Sequence, residues 1–491
     1  MSAPYEPEKA PIGLEGDAAP SLDHTSNKVE EAHYSAVSQP VKVHWFRGTT
    51  MQAIITGVSS FLAPGAYAAL AATGAGGLAS VEIGNASVAL AYALIVPSAL
   101  ISTGFLSKVG PRWTMAIGAA GYAPYAAALY TNSAFGNQWF LVVGAIICGA
   151  TSGLFWVSEG VVISTYSEPS RKGQMLAIWQ SLYTLATVIG GFINLFLNLD
   201  VKVRGGLRPK TYIVFVALNC LAPFTSLLLS NPKQVQRKDG KPVTGIPDQG
   251  FMREIWLTVR ELRHPTIIAL CVLWSQCLFV PSWISTYLAR TFSVRVRGLS
   301  SVVIPALTIV WFQILGFVLD SKRITIRKKL LYTWGVLQAI MLAGIVWLLV
   351  LNMRQHSEAR AAAYDWLDPG FAAAWVPALF ASTAQHVAYG YMYYLAGYAF
   401  PRGADKARLA RIIATLRSAE SGAAAIAFGI NATKVPLHST GWINFAFVLV
   451  CVPCGIYVIQ YVWKEDKKGA FNEADNAEQV QAPPVNVQEM P

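Results

Sequence analysis

The sequence predicts an all-α membrane protein with twelve transmembrane helices in two six-helix halves. Of the 491 residues, 54% are hydrophobic and only 13% are charged. A soluble globular protein carries about 25% charged residues, so this chain has too little charge to cover a surface in contact with water. The same excess of apolar residues excludes disorder for most of the chain. A multi-pass membrane protein is the class that remains.

Twelve apolar runs are each about as long as a helix that crosses the hydrocarbon core, which takes ~20 residues. We expect helices because lipid offers no partner to backbone N–H and C=O groups. The predicted spans are 48–70, 84–106, 113–131, 138–163, 175–198, 211–229, 265–288, 299–319, 330–351, 373–398, 412–432 and 440–462.

Hydrophilic segments divide the chain into five parts. Both ends are polar and acidic, and we expect them to be disordered cytosolic tails. A long hydrophilic stretch after the sixth span separates the two predicted halves. The parts are 1–43 (tail), 44–230 (first half), 231–263 (cytosolic linker), 264–463 (second half) and 464–491 (tail).

The linker contains the pattern of an amphipathic helix in GFMREIWLTVRELRHP. Apolar side chains recur there at helical spacing, and arginines flank them. This pattern is typical of a helix that lies on the inner membrane surface, with its arginines reaching the lipid headgroups. The apolar positions are Phe251, Ile255, Val259 and Leu262, and the arginines are Arg253, Arg260 and Arg263.

The distribution of Lys and Arg predicts the orientation. Most of the 38 basic residues fall in the tails and in the loops on one side, which places both termini in the cytosol. The basic loop 199–210 is the exception, since it falls on the outer side. Basic loops between apolar runs suit anionic lipid better than nucleic acid. We therefore expect the lipid bilayer and no nucleic acid as a partner, with plasma and vacuolar membranes both open.

Short segments recur at matching positions in the two predicted halves. The second span ends in GFLSKVGPR (104–112), and the eighth ends in GFVLDSKRITIRKK (316–329). The fifth span contains GGFIN (190–194), and the eleventh contains FGIN (428–431). These similar segments at matching positions predict an internal duplication, as in many secondary transporters.

Twelve spans, a central basic loop and the turns after spans two and eight resemble the major facilitator superfamily. Within it, GPRWTMAIGAAGYAPY (110–125), GATSGLFWVSEGVVISTYSEPSRKGQ (149–174) and the glycine-rich fifth span resemble the Unc-ninety-three-like family in its fungal form. The resemblance covers roughly residues 45–463 and implies a major-facilitator fold. It does not select an activity, because that family includes presumed transporters, channel regulators and trafficking partners.

The resemblance also implies conformational-switch loops after spans two and eight. In the first loop, Lys108 stands near the position where the superfamily normally has an Asp, so this switch is degenerate although Arg112 is present. The second loop keeps an acid, Asp320, beside Lys322 and Arg323.

Ionisable residues inside the predicted spans are the candidates for function, because each costs about 2.5–3.5 kcal/mol at the centre of a span. Arg417 and Glu420 share one helical face and form either a self-neutralised pair or part of a central cavity. By analogy with the superfamily, Glu159 meets Arg417 at a closed inner gate; alternatively, Glu159 is a proton site. His386 is either a helix-interface residue or a proton relay.

Neutral polar residues extend this predicted pathway. Gln52, Gln180 and Gln276 lie within spans, and tyrosines crowd the tenth span. Gly149 and Gly153 form a GxxxG pattern, which predicts a close helix contact.

These observations predict a secondary transporter that binds a small molecule or an ion between its halves. The alternative is a non-transporting accessory protein that uses the same fold to bind a channel or receptor. We expect no enzymatic activity, cofactor or metal site, because the sequence contains no Walker A motif and no cluster of metal ligands. Glycosylation at the sequons of Asn85 and Asn431 is left open, and Asn85 is also a candidate cap of the second span.

Overall fold

The computed structural model describes residues 43–73, 75–78, 80–167, 171–203, 205–238, 240, 243, 249–320, 323–357, 363–399 and 406–467. The expected disorder of the two tails therefore concerns residues that lie almost wholly outside the described part. All the features below belong to one compact unit of the chain.

The described residues form helices joined by short connections, with isolated backbone bridges but no β-strand. Each predicted apolar run overlaps a helix, because a helix satisfies its own backbone groups away from water. The helices are α1 (Thr49–Ala71), α2 (Val81–Ala120), α3 (Tyr122–Phe135), α4 (Trp139–Tyr166), α5 (Lys172–Leu197), α6 (Pro209–Ser226), α7 (Phe251–Arg260), α8 (Pro265–Thr291), α9 (Val294–Asp320), α10 (Ile326–Ser357), α11 (Phe371–Ala399), α12 (Lys406–Asn431) and α13 (Leu437–Lys467).

Eight helical segments of the described residues are long and apolar enough to cross a membrane. One of them, Val81–Phe135, joins α2 and α3. Helix α1 contains a π-helical turn at Phe61–Gly65, where Pro64 interrupts the regular hydrogen bonding. These segments make the chain an integral, multi-pass membrane protein.

Small residues bring α2 and α4 into close contact. A Cβ atom added to Gly149 would overlap the carbonyl oxygen of Ala91, and one added to Gly153 would lie 2.5 Å from the backbone nitrogen of Ala99. The close contact predicted from the GxxxG pattern is therefore confirmed. Residue numbers increase in the same direction along both helices in these pairs, so the first part of α2 runs parallel to α4.

The chain reverses direction at Gly110. Beyond this residue, Gly118 contacts Phe155 and Ala128 contacts Gly144. Residue numbers therefore increase along α2 and α3 where they decrease along α4, so these segments are antiparallel to α4. Gly110 has a φ of 75°, which a residue without a Cβ adopts readily. The Gly-Pro-Arg segment singled out in the sequence is thus the turn between two antiparallel helical segments.

Connections between alternate helices are hydrogen-bonded to one another at one end of the bundle. The nitrogen of Leu207 donates to the oxygen of Gly77 (2.7 Å), and that of Val294 donates to the oxygen of Val203 (3.1 Å). Further bonds join Ser293 to Tyr364 (2.9 Å) and Arg290 to Thr433 (3.3 Å). The basic loop 199–210 therefore contributes to the same set of connections as the segments around residues 77, 293, 364 and 433.

The linker contains helix α7, where the amphipathic pattern was found. Its buried side chains are Glu254 and Thr258, while Phe251 packs on Gly104 of α2. Arg411 of α12 donates to both carboxylate oxygens of Glu254, at 2.9 and 3.2 Å. A polar face thus fastens α7 to the helical bundle, and the lipid contact of its other face stays a prediction.

Candidate functional site

A cavity of about 220 Å³ lies between α1, α2, α4 and α5 on one side and α8, α9, α11 and α12 on the other. Its walls are apolar and aromatic, with a small number of polar groups, which is typical of a small-molecule site. The aromatic lining residues are Tyr67, Tyr92, Trp156, Tyr183, Phe312, Tyr389 and Phe428. The ionisable ones that the sequence singled out are His386, Arg417 and Glu420.

Arg417 and Glu420 form a buried ion pair at the cavity wall. Their closest N–O distance is 2.9 Å, and the two side chains are 6% and 2% exposed. Arg417 also donates to the hydroxyls of Tyr389 and Tyr393, and its guanidinium lies 4.4 Å from the ring centroid of Trp156. Both predicted features are present, because the pair neutralises its own charge and also borders the cavity.

Glu159 is fully buried close to the cavity without lining it. Its Oε2 accepts hydrogen bonds from the hydroxyl of Ser60 (2.6 Å) and the indole of Trp179 (3.3 Å). Its Oε1 has no hydrogen-bond partner within the described part of the chain. The ion pair of Arg417 is with Glu420 rather than Glu159. The gate pair of Glu159 and Arg417 therefore stays a prediction.

Aromatic side chains connect Glu159 to Arg417. The Trp179 indole that donates to Glu159 also packs edge-on against Tyr393, with 5.9 Å between the ring centroids. The hydroxyl of Tyr393 accepts a hydrogen bond from Arg417. A continuous set of contacts therefore runs from Ser60 on α1 to Arg417 on α12.

The remaining predicted polar residues divide into two groups. Gln180 and His386 line the cavity, and the Nδ1 of His386 lies 2.7 Å from the carbonyl oxygen of Ser382. Gln52 and Gln276 do not line it, and their role in a transport pathway or gate stays a prediction. Gln52 binds the backbone at Phe46 (2.6 Å) and Ser230 (2.7 Å), so it ties α1 to the end of α6.

Gln276 likewise joins two helices. Its amide oxygen accepts a hydrogen bond from Gln338 (3.4 Å), and its amide nitrogen lies 3.4 Å from the sulfur of Met341. Buried amides need partners, and here α10 supplies them in place of the cavity.

The structure places the predicted switch residues at the Gly110 turn and after α9. Lys108 is exposed and Arg112 is partly buried; the Nε of Arg112 has no partner in the described part of the chain. Helix α9 ends at Asp320, whose side chain lies outside the described part, as does Lys322. Arg323 is exposed. The action of these residues as a switch stays a prediction.

Sequence reasoning missed Ser60, Trp179 and Gln385. Gln385 lines the cavity and is 1% exposed. Its position next to His386 was the available signal. Nothing in the sequence marked Ser60 or Trp179 as residues of the site. A hydroxyl or indole group in a span becomes informative only when a neighbouring helix brings a carboxylate to it.

The two asparagines of the glycosylation sequons are buried at a helix interface. The Nδ2 of Asn85 donates to Thr286 (3.0 Å) and to the carbonyl oxygen of Asn431 (3.1 Å), and the side chain of Asn431 donates to Ser282 (3.2 Å). Ser80 caps α2, so the expectation that Asn85 caps this helix is wrong. These bonds join α2 to α8 and α12.

Comparisons with known proteins relate the chain to one sequence family and one fold. Residues 77–353 match the family described as "Ion channel regulatory protein UNC-93". A similar protein is the Notoamide biosynthesis cluster protein O' of Aspergillus versicolor, which is 30% identical over 86% of this chain and 91% of its own. UNC93-like protein 1 of Arabidopsis thaliana is 25% identical over 87% of this chain and 94% of its own.

Among solved structures, the chain is similar to the major facilitator superfamily proton:xylose symporter XylE. The TM-score is 0.53 at 14% sequence identity, over 85% of this chain and 94% of the symporter. At this identity the likeness shows the fold, which is that of the major facilitator superfamily. The family and the helical major-facilitator fold expected from the sequence are thereby confirmed, while the twelve crossings, the two halves and the disorder of the tails stay predictions.

Proposed function

The chain belongs to the UNC-93 family, and we propose that within it this protein is a secondary transporter of small organic molecules. The observation that carries the proposal is the cavity lined by residues of eight helices, four from each predicted half. Aromatic rings form much of its wall, and Arg417 and Glu420 compensate each other's charge. Such a wall favours a largely uncharged organic substrate over an inorganic ion, which needs several oxygen ligands.

The proposal includes twelve membrane crossings. The segment Val81–Phe135 has 55 residues and would span roughly 80 Å as one straight helix, against about 30 Å of hydrocarbon. Because the chain reverses at Gly110, this segment supplies two crossings. Helices α6, α11 and α12 supply the remaining three. Helix α12 is less apolar because it carries Arg411, Arg417 and Glu420, all of which pair inside the protein.

The orientation with both termini in the cytosol follows from the distribution of Lys and Arg. With twelve crossings, α1–α6 and α8–α13 form the two halves, and the linker joins them on the cytosolic side.

Alternating access would separate the halves at one end of the cavity at a time. At the outer end, the bonds of Asn85 to Thr286 and Asn431 join α2 to the second half. Towards the inner end, Trp179 packs on Tyr393. We propose that these two groups of contacts open alternately while substrate occupies the cavity.

The names of two similar proteins support a small organic substrate. The relative from Aspergillus versicolor is named for a biosynthesis cluster, and the similar solved structure is a proton:xylose symporter. Both names concern small organic compounds. Which compound this chain carries is the subject of the experiment below.

A second candidate function is regulation of another membrane protein without transport. The description of the family as an ion channel regulatory protein favours it, as does Lys108 in the first switch loop. This function requires a partner but no substrate cavity that opens to both sides.

Metabolite profiling of cells and medium, with and without the protein, separates the two functions. The test variant is Arg417→Gln with Glu420→Gln, which removes both charges of the cavity pair without leaving one of them buried and unpaired. The matched control is Arg411→Gln with Glu254→Gln, which removes the other buried Arg–Glu pair of α12, outside the cavity.

We expect at least one compound to redistribute across the membrane with the wild type and the control but not with the cavity variant. Equal membrane abundance of the three proteins is verified by immunoblotting. If no compound redistributes with the wild type under several growth conditions, the transport proposal fails. Co-purification with a channel or receptor would then support the regulatory function.

A further inference from the structure

An open pocket of about 450 Å³ lies where α7 meets the start of α8 and α12. Arg260, Arg263 and Arg408 line it, together with one acid, Glu261. The carboxylate of Glu261 lies 3.4 Å from the Nε of Arg408 and offsets only one of the three positive charges. The pocket therefore has a net positive charge and suits an anionic group.

The same linker presents apolar side chains to its surroundings. Met252, Trp256 and Val259 on α7 are 76%, 55% and 45% exposed, and Leu262 just beyond it is 42% exposed. On the opposite face, Glu254 and Thr258 hold α7 against the protein. Exposed apolar side chains flanked by arginines are typical of a helix that lies in the headgroup region of a membrane.

The position of the pocket along the chain places it at the membrane boundary. Pro265, which lines the pocket, is the first residue of the membrane-spanning segment Pro265–Thr291. Arg260 lies over the ring of Trp256 at 5.3 Å, so charged and apolar groups are adjacent on this surface. An occupant therefore meets positive charge at the level of the headgroups and apolar side chains beside it.

We propose that this pocket binds the phosphate headgroup of an anionic phospholipid from the membrane that the protein spans. Arginine suits this ligand because its planar guanidinium donates paired hydrogen bonds to phosphate oxygens. The acyl chains would lie along the exposed side chains of Trp256 and Val259. Because Arg260 and Arg263 belong to the linker and Arg408 to α12, the bound lipid bridges these two elements.

The experiment uses the purified full-length protein and native mass spectrometry. The probes are palmitoyl-oleoyl phosphatidylserine, the corresponding phosphatidylcholine, and inorganic phosphate. We expect phosphatidylserine to bind more tightly than phosphatidylcholine. Each basic residue near an anionic surface contributes an attraction that corresponds to about a fivefold change in affinity. Arg263→Gln should therefore weaken phosphatidylserine binding about fivefold, and the triple replacement of Arg260, Arg263 and Arg408 by Gln about 100-fold.

The matched control is Arg253→Gln, which removes an exposed arginine of the same helix that does not line the pocket. Arg253 can still attract an anionic headgroup from the surface of α7, so this variant should weaken phosphatidylserine binding less than Arg263→Gln does. The proposal is overturned if Arg253→Gln and Arg263→Gln weaken binding equally, because general surface charge would then explain the attraction. It is also overturned if phosphatidylcholine binds as tightly, or if millimolar inorganic phosphate displaces the lipid. Melting temperatures in detergent verify that each variant is folded.

Discussion

At the scale of single residues, the protein accommodates its buried charges in two different ways. Arg417 has an ionic partner, two tyrosine hydroxyls and an indole ring around its guanidinium. Within the described part of the chain, Glu159 accepts hydrogen bonds from two neutral donors, Ser60 and Trp179, and both act on the same oxygen. A buried carboxylate outside any direct ion pair is costly, so a change in the protonation of Glu159 would alter the local free energy.

We therefore expect Glu159→Gln to uncouple transport from pH without unfolding the protein. The amide oxygen of glutamine can still accept hydrogen bonds from Ser60 and Trp179, so the melting temperature should stay within a few degrees of the wild type. Uptake of the substrate found by profiling, measured between external pH 5 and 8, should lose its dependence on pH. The control is Gln276→Leu, which replaces a buried polar residue outside the cavity and should keep that dependence. An unchanged pH profile in Glu159→Gln would refute the proton-site hypothesis and leave the gate hypothesis.

Only part of the candidate site could be predicted from the sequence. The pairing of Arg417 with Glu420 was predictable, because residues three apart on a helix are neighbours whatever surrounds them. It was not predictable that Gln180 lines the cavity whereas Gln52 does not. Both are polar residues within spans, but which side of a helix faces a cavity depends on the neighbouring helices.

At the scale of helices, a close backbone contact between the two proposed halves depends on glycine. A Cβ atom added to Gly191 of α5 would overlap the carbonyl oxygen of Ser301 on α9, and one added to Gly298 would lie 2.9 Å from the Cα of Leu195. Without a hydrophobic driving force between helices in lipid, such backbone contact supplies much of the packing attraction. Helix α9 can approach α5 this closely because Gly191 and Gly298 each leave room for the backbone of the facing helix.

We expect Gly191→Ala to destabilise the protein by about 1–3 kcal/mol, because the added methyl group forces α5 and α9 apart. The measurement is the apparent melting temperature in detergent, followed by tryptophan fluorescence. Gly429→Ala is the matched control, since no atom lies within 4 Å of the Cβ that it adds. It should leave the melting temperature unchanged or raise it, since alanine is the better helix former. Equal effects of the two substitutions would show that the contact of α5 with α9 contributes nothing to stability.

At the scale of the whole molecule, the fold was predictable because lipid permits so few solutions. Apolar runs must be helices, and their lengths and the Gly-Pro-Arg turn indicate where the chain reverses. The basic loop 199–210 conflicted with the charge rule, and sequence alone could not show where it packs. The hydrogen bonds from Leu207 to Gly77 and from Val294 to Val203 place it with the connections around residues 77 and 293. The distribution of Lys and Arg only biases the topology statistically, whereas these hydrogen bonds constrain which connections contact one another.

Helix α6, like α11 and α12, is not among the eight segments that qualify by length and apolarity, so its membrane crossing needs a direct test. Lys202 precedes α6 and Lys233 follows it, and both are exposed. We expect a cysteine at position 202 to react with a membrane-impermeant maleimide on intact cells. A cysteine at position 233 should react only after permeabilisation. The background replaces Cys220 and Cys454, the native cysteines that are not buried, by serine.

Each pattern of labelling has a distinct structural meaning, because α6 is the only α-helix that the structure describes between the two reporters. For protein in the plasma membrane, labelling of both positions on intact cells would mean that α6 does not cross, and protection of both would mean the same with the other orientation. Labelling of position 233 alone would keep the crossing but invert the molecule, which would place the linker and its basic pocket outside. Labelling of position 202 alone fixes the linker, α7 and the Glu254–Arg411 pair on the cytosolic side. An anionic lipid in the pocket would then belong to the cytosolic leaflet, where such lipids carry the negative surface potential.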